Sequence, residues 1–413
     1  KSNNMINNNN IKQIFLLIAL FAANPRGVKH FANAAEVLVE EDKYYYPTLK
    51  EIREFGVGFS KNICKGNANN PALGPLVDKH AVKEIVKQAS PSLKLAKEYA
   101  YITNVSDITS DLLSNISSGR YMLKATHLSG GVALVDGNKT VCVKNCLRRI
   151  PGELPLDFVK RHCSSFMELK MKRDEKNYKR IKRGCLLEEM FDNVWGLQDY
   201  KIHMFHGRPM TISVYADRFQ SPTRNDFTED WEEIPLEGTY PRLTGTNLFD
   251  ARPKFLDSML LESKRLYDAA QNIIPGGVKY MRMDFFVWNE TFAFSEYTFT
   301  HNKCINGMFT RDEHYEYVDL FYGFVGKHPG LNIPSNAVMS LMKEHEKEKE
   351  LKEQHRRQKD TSSREGEQLG TNNTEKGVEF HKEAAAEVST EKELPSNSKA
   401  TTIVNSIKEQ SKP

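Results

Sequence analysis

The stretch Lys279–Thr300, KYMRMDFFVWNETFAFSEYTFT, consists of two aromatic and β-branched runs around Asn289-Glu290-Thr291. That composition reads as an antiparallel hairpin with those three residues as its loop. The loop length sets the register, placing Trp288 opposite Phe292 and Asp284 opposite Glu296. Because side chains alternate along a strand, Asp284, Glu296 and Thr298 then share one face. Like charges facing each other across two strands repel unless something lies between them. Hard oxygen donors at that separation suit Mg²⁺, which takes one or two carboxylates together with phosphate oxygens and water. The same residues also describe a plain hairpin with two acids on its solvent face. A two-residue loop would send the acids to opposite faces. A metal reading therefore needs phosphate-binding groups elsewhere in the chain.

Two lysines upstream are candidates. In Val77-Asp78-Lys79-His80-Ala81-Val82 a helix is expected to begin, with Asp78 as N-cap and Val77 packing on Val82. Lys79 then stands at the first helical position, where free N–H groups favour anions; the alternative is a solvated surface lysine. Arg120–Val135, RYMLKATHLSGGVALV, reads as strand, turn at Ser129-Gly130-Gly131, and strand, with Lys124 inside the first. Glycines let backbone N–H groups approach phosphate closely, although a ligand-free hairpin fits equally well. No Gly-Lys-Ser/Thr follows, which excludes a Walker A loop, and there is no GxGxxG. CLLEEMF at 185–191 is apolar around Glu188 and Glu189. Gln198–His206 and Met210–Tyr215 alternate as strands, and Phe255–Ala270 has a helical period.

The chain has 413 residues, 27% of them charged and 10% aromatic, with a net charge of +4. That length supports two or three subdomains, and the small charge excess is no nucleic-acid or membrane signature. The basic run within Phe158–Arg183 reads as a solvated helix and loop without stacking aromatics, so nucleic-acid binding is not expected. Six cysteines form no CxxC pair. Cys142, Cys146, His162 and Cys163 could make a zinc cluster, but buried thiols or an isolated disulfide are the expected state. Ile14–Ala23 is apolar, too short to span a bilayer comfortably, and fits a signal-peptide core, with Ala32-Asn33-Ala34 as a cleavage site. Entry into the secretory pathway or an organelle is the expectation, with no stable transmembrane span; a cytoplasmic location is the alternative. Asn-X-Ser/Thr sites at Asn104, Asn115, Asn138, Asn289 and Asn372 would matter only on the secretory route.

Taken in order, VDKHAVKEIV, YMLKATHLSGG, LLEEMF, DYKIHMFHGRPMTISVYADRF, RNDFTEDWEEIP, MRMDFF and FSEYTF resemble the TupA-like branch of the ATP-grasp superfamily, over roughly Leu76–Phe309. Bacterial relatives are associated with cell-surface polysaccharide and teichuronopeptide synthesis. The resemblance implies an α+β ATP-grasp fold, two subdomains gripping ATP between antiparallel sheets. It implies that Lys79, Lys124, His127, Ser129, Gly130 and Gly131 hold phosphates. Glu188, Glu189 and Met190 would form the adenine hinge, with Asp199 on the ribose. Lys201 and Arg218 would be cations near the phosphate and the reacting acyl group. Asp284, Glu296 and Thr298 would be the Mg²⁺ ligands. Thr298 departs from the usual Asn; in the loop, where relatives have Asn-His-Gly-Ser-Gly-Gly, Thr126 replaces the Asn and Leu128 the first Gly. The run Thr300–Ile305 replaces the relatives' Tyr-Pro-Gly-Ser-Gly, so the acceptor side has diverged.

The expected organisation is a targeting segment and linker (1–43), an N-terminal subdomain (44–118), a lid and adenine-hinge subdomain (119–198) and a metal-binding subdomain (199–342). A charged, disordered tail (343–413) with room for a solvated helix at its start would follow. The implied reaction activates a carboxylate as an acylphosphate for attack by an amine, on a small-molecule, glycan or peptide precursor. A glycan-assembly transferase and a catalytically lapsed nucleotide-binding protein are the alternatives. His203, Phe205, Trp231 and Trp288 are read as packing residues.

Overall fold

The computed structural model describes residues 44–372 apart from 56–57, 117, 138, 145, 171–174, 192–195, 218–220, 237–239, 246–248 and 305–314. The chain divides into two compact units, Lys1–Lys349 and Glu350–Pro413. The first contains, in order, α1 (Leu49–Phe55), α2 (Ala81–Ala89), β1 (Lys94–Leu95), β2 (Glu98–Ile102), β3 (Arg120–Ala125), β4 (Val132–Asp136) and β5 (Lys139–Lys144). Then come α3 (Pro155–Glu168), β6 (Cys185–Glu189), β7 (Gln198–Phe205), β8 (Arg208–Ala216), β9 (Thr223–Phe227) and β10 (Glu233–Ile234). They are followed by α4 (Leu256–Ile273), β11 (Tyr280–Trp288), β12 (Thr291–Thr298), α5 (Tyr315–Lys327) and the beginning of α6 (Ala337–Asn372). The described residues of the second unit are the remainder of that helix, on which the expected tail begins; 373–413, like the targeting segment, lie outside the described residues. None of the described helices is long and apolar enough to cross a membrane.

The fold is α+β, with two mostly antiparallel sheets. The larger runs β1-β12-β11-β7-β8-β9-β10 and the smaller β2-β6-β3-β4-β5. β2, N-terminal to the expected 119–198 segment, is hydrogen-bonded into the smaller sheet through β6. Strand β11 is buried on both faces, and its period of two sorts them. Met281, Met283, Phe285 and Val287 join the main core, which also contains Leu266 and Ala270 of α4 and Val82 and Val86 of α2. The opposite face carries Arg282, Asp284, Phe286 and Trp288 toward the smaller sheet. There Phe286 and Ala293 pack with Met122, Leu134, Met190 and Phe191, making an apolar slot between the sheets.

The opening hairpin differs from the expected one in two places that cancel. Its loop has two residues: Trp288 pairs with Thr291, not Phe292. Asn289 and Glu290 both have positive φ, 46° and 56°, the left-handed pair of a type I′ turn whose twist matches the flanking strands. That alone would send Asp284 and Glu296 to opposite faces. The register shifts, however, between Asp284 and Phe285: Phe285 faces Phe294 while Asp284 faces Glu296, leaving Ser295 as the extra residue of a β-bulge. The bulge restores the phase, so Glu296 and Thr298 face the cleft with Asp284 while Tyr297 and Phe299 enter the core.

Candidate active site

On the smaller sheet, β3 brings Lys124 beside Glu188 of β6, since Lys124 pairs with Leu186 and Met122 with Glu188. Lys124 and Lys83 of α2 share the Glu188 carboxylate, Lys83 at 2.8 Å. Burial would raise the Glu188 pKa, but the two ammoniums outweigh it and hold the group below its ordinary value. Lys83 also donates to the Ala96 carbonyl at 3.0 Å. Lys79 donates to the Leu128 carbonyl in the glycine loop at 2.6 Å. Burial pushes Lys79 down, opposed by the charges of Glu296 and Glu188 and reinforced by Lys124. Asp78 caps as expected, its carboxylate accepting from the N–H groups of His80 (2.9 Å) and Ala81 (3.3 Å) and its carbonyl from Val82 N–H (3.0 Å), while regular helix begins at Ala81. Lys79 is therefore in the capping turn rather than the helix.

The loop after β3 is tied at further points. Ser129 donates to Glu175 at 2.8 Å, His127 Nε2 donates to the Leu169 carbonyl at 3.0 Å, and the Gly131 carbonyl accepts from Ala125 N–H at 2.8 Å. Burial lowers the His127 pKa, with the Leu169 carbonyl pulling the other way. Gly131 has φ +65°, and a Cβ there would lie 2.8 Å from the Ala125 Cβ, so only glycine fits.

On the larger sheet, Asp284 is 1% exposed and faces Lys201 of β7 as well as Glu296. Arg282, two residues before it, donates to both its oxygens at 2.6 and 2.7 Å, and the Lys201 ammonium donates to Oδ2 at 2.6 Å. Burial would raise the Asp284 pKa, but the Arg282 and Lys201 charges hold it far below the carboxylate range. Lys201 also donates to Asp199 at 2.7 Å; burial lowers its pKa against the pull of Asp284. Arg282 further donates to Thr298 Oγ1 and His301 Nδ1, each at 3.0 Å. Glu296 is half-buried and forms no hydrogen bond or ion pair among the described residues. Between the sheets a small cavity is lined by Lys83, Lys124, Glu188, Phe286, Phe294 and Ser295, among others.

Of the residues expected at the site, Lys124 and Glu188 from the smaller sheet, Lys79 from the turn before α2, and Asp199, Lys201, Asp284, Glu296 and Thr298 from the larger sheet all face this cleft region. Met190 is buried in the apolar slot, and the Glu189 carboxylate accepts from Lys97 N–H at 3.0 Å instead of entering the cavity. Arg218 lies outside the described residues. Lys83 and Arg282 were not anticipated. Both were legible: Lys83 follows Lys79 by one helical turn, and Arg282 shares a strand face with Asp284. His203 is no mere packing residue, since it accepts from the Tyr280 hydroxyl and contacts Ser213. Phe205 and Trp231 lie in the core, and Trp288 stacks on Phe191 at 4.2 Å. The zinc cluster does not form: the cysteines pair as Cys64–Cys304, Cys142–Cys146 and Cys163–Cys185. His162 is enclosed by Phe158 and Phe166.

Among the described residues no group of three His, Cys, Asp or Glu side chains makes a metal cluster. Two facing carboxylates nevertheless match Mg²⁺ in donor type, because Mg²⁺ draws its other ligands from phosphate and water. Glu296 has its acceptor positions available, while Asp284 has spent three of about four on Arg282 and Lys201.

Two mostly antiparallel sheets that face each other across lysines, paired carboxylates and an apolar slot define an ATP-grasp architecture. The family described as TupA-like ATPgrasp matches residues 61–321, and the chain belongs to it. Similar solved structures include the D-alanine–D-alanine ligase from Bacillus anthracis complexed with ATP, at 13% identity and TM-score 0.31 over 55% of each chain. Another is the ATP-grasp ligase PsnB complexed with its minimal precursor, at 9% identity and TM-score 0.31 over 67% of this chain and 64% of that one. The chain thus spans between half and two thirds of these proteins' length. A search of the curated proteins found no match.

Proposed function

We propose that the protein is an ATP- and Mg²⁺-dependent carboxylate–amine ligase. What supports this reading is the bulged register that sets Asp284 opposite Glu296 with Lys201 and Arg282 beside them. A triphosphate entering the cleft offers anionic oxygens to Lys79, Lys83 and Lys124, which now donate to a carbonyl or to Glu188. The backbone at Gly130 and Gly131 supplies further donors, and Met122, Leu134, Met190 and Phe286 form an apolar slot for the base. Mg²⁺ held by Asp284 and Glu296 would neutralise charge on the phosphate oxygens. A substrate carboxylate oxygen forms the new bond to the γ-phosphorus as the bond to the ADP oxygen breaks. A neutral amine nitrogen then bonds to the acyl carbon, the acyl C–O bond breaks, and inorganic phosphate leaves, taking up the proton that the nitrogen gives up. Lys201 and Arg282 are the cations available to the tetrahedral oxyanion among the described residues.

The acceptor class is read as a cell-surface glycan or glycopeptide precursor. Three disulfides accord with an oxidising compartment and thus with a secretory route. Thermal-shift titration tests the nucleotide site: millimolar MgATP should raise Tm, and ADP release should require both a carboxylate and an amine. Absence of any MgATP stabilisation sinks the reading.

A further inference from the structure

The RNDF stretch contributes a part of the site that the ligase chemistry above leaves without a role. The polar cleft face of the larger sheet continues past Lys201: Ser213 pairs with Lys201, and Asp226 of β9 pairs with Ser213. Asp226 is 3% exposed and Arg224 6%. All three bonds that Asp226 accepts fall on Oδ1, from Ser213 Oγ (2.5 Å), Arg224 Nε (3.1 Å) and Arg224 Nη2 (2.8 Å). Among the described residues, Oδ2 accepts none. The single Ser213 hydroxyl proton goes to Asp226, so the contact at 3.3 Å with His203 requires His203 Nε2–H to donate to Ser213. Arg224 and Lys201 both lie over the Tyr215 ring, 5.6 and 5.4 Å from its centre. A buried ion pair of this kind adds little net stability over apolar residues, so stability does not account for it. Its geometry holds one carboxylate oxygen rigidly and leaves the other for a ligand.

We propose that this end of the row is an acceptor subsite, in which Asp226 Oδ2 binds the distal ammonium of an elongated amine substrate. The proposal rests on the ligase reading. An ammonium adds the attraction of a full positive charge to the hydrogen bond, which a hydroxyl at this oxygen lacks. Strands are ~4.8 Å apart, so Asp226, two strands from Lys201 and three from Asp284, lies roughly 10 and 14 Å from them. A small amino acid held at the reaction centre does not reach it, whereas a chain with amines at both ends does. One amine, neutral, bonds to the acyl carbon; the acyl C–O bond breaks, the phosphate leaves with its electron pair and takes up the proton the nitrogen gives up, while the other amine stays protonated on Asp226.

The test is a thermal-shift titration of the full chain with saturating MgATP, using spermidine and ethylenediamine as long and short probes. Spermidine should add stabilisation at concentrations where ethylenediamine adds none. In Asp226→Asn the spermidine needed for half the effect should rise at least tenfold. The double variant Arg224→Gln/Asp226→Asn, which removes both buried charges together, should lose the response in the same way. Equal responses in the variants, equal effects of the two amines, or no spermidine effect on a protein that MgATP stabilises each overturn the subsite. Failure of MgATP itself to stabilise the wild type overturns the ligase reading instead.

Discussion

Replacing Asp284 with Asn separates two roles that this carboxylate combines. It anchors two buried cations, and it is a candidate metal ligand. Breaking a buried ion pair by removing one partner costs about 3–5 kcal/mol. Here the cations keep other partners: Lys201 retains Asp199 at 2.7 Å, and Arg282 retains Thr298 and His301 at 3.0 Å. The lower end, about 3 kcal/mol, is therefore expected, a fall in Tm of roughly 5 °C for a unit of this size. Asp284→Asn is thus expected both to lose turnover and to fold less stably, unlike a ligand with no structural duty. The folded carboxylate has a depressed pKa, so its stabilisation is present above the ordinary carboxylate range and is lost as pH falls below it. The acid arm of the wild-type stability curve should accordingly shrink in the variant. Glu296→Gln is the control. Having no ion pair among the described residues, it should shift stability by less than about 1 kcal/mol while MgATP stabilisation and turnover are lost. Thermal melts with and without MgATP, across pH, read all these effects. Unchanged melting and an unchanged MgATP response in Asp284→Asn would refute the argument outright.

Two further outcomes follow from groups away from the carboxylates. His162 has no exposure, neither ring nitrogen has a hydrogen-bond partner among the described residues, and burial, helped by Arg161, lowers its pKa to about 4. As pH falls from the unfolded value near 6.5, the unfolded chain takes the proton first. About 3 kcal/mol of stability is then lost by pH ~4, and His162→Phe should flatten that slope in denaturation midpoints. Gly131→Ala forces a Cβ into a left-handed position already crowded by Ala125, so a loss of about 1–2 kcal/mol and weaker MgATP binding by calorimetry are expected.

Much of the site is local and could be read along the chain. A strand's period of two put Arg282 with Asp284 and Glu296 with Thr298, the glycine pair marked the loop after Lys124, and Glu188 stood within an apolar run. Arg282 was equally readable two residues before Asp284. The bulge at Ser295 was not, because one extra residue in an aromatic strand has no composition of its own. The Asp284–Glu296 pairing agrees with the expected one only because the shorter turn and the bulge offset each other.

The sequence by itself determined which residue types alternate toward the cleft and which toward the helices, because periodicity and glycine conformation are properties of neighbouring residues. Only the tertiary structure decided that Asp284 is shared with Lys201, 83 positions away, that Lys83 and Lys124 divide one glutamate, and that Cys64 joins Cys304 across 240 residues. Charges and thiols choose partners by proximity in the folded chain, and burial makes those choices strong, so linear spacing does not reveal them.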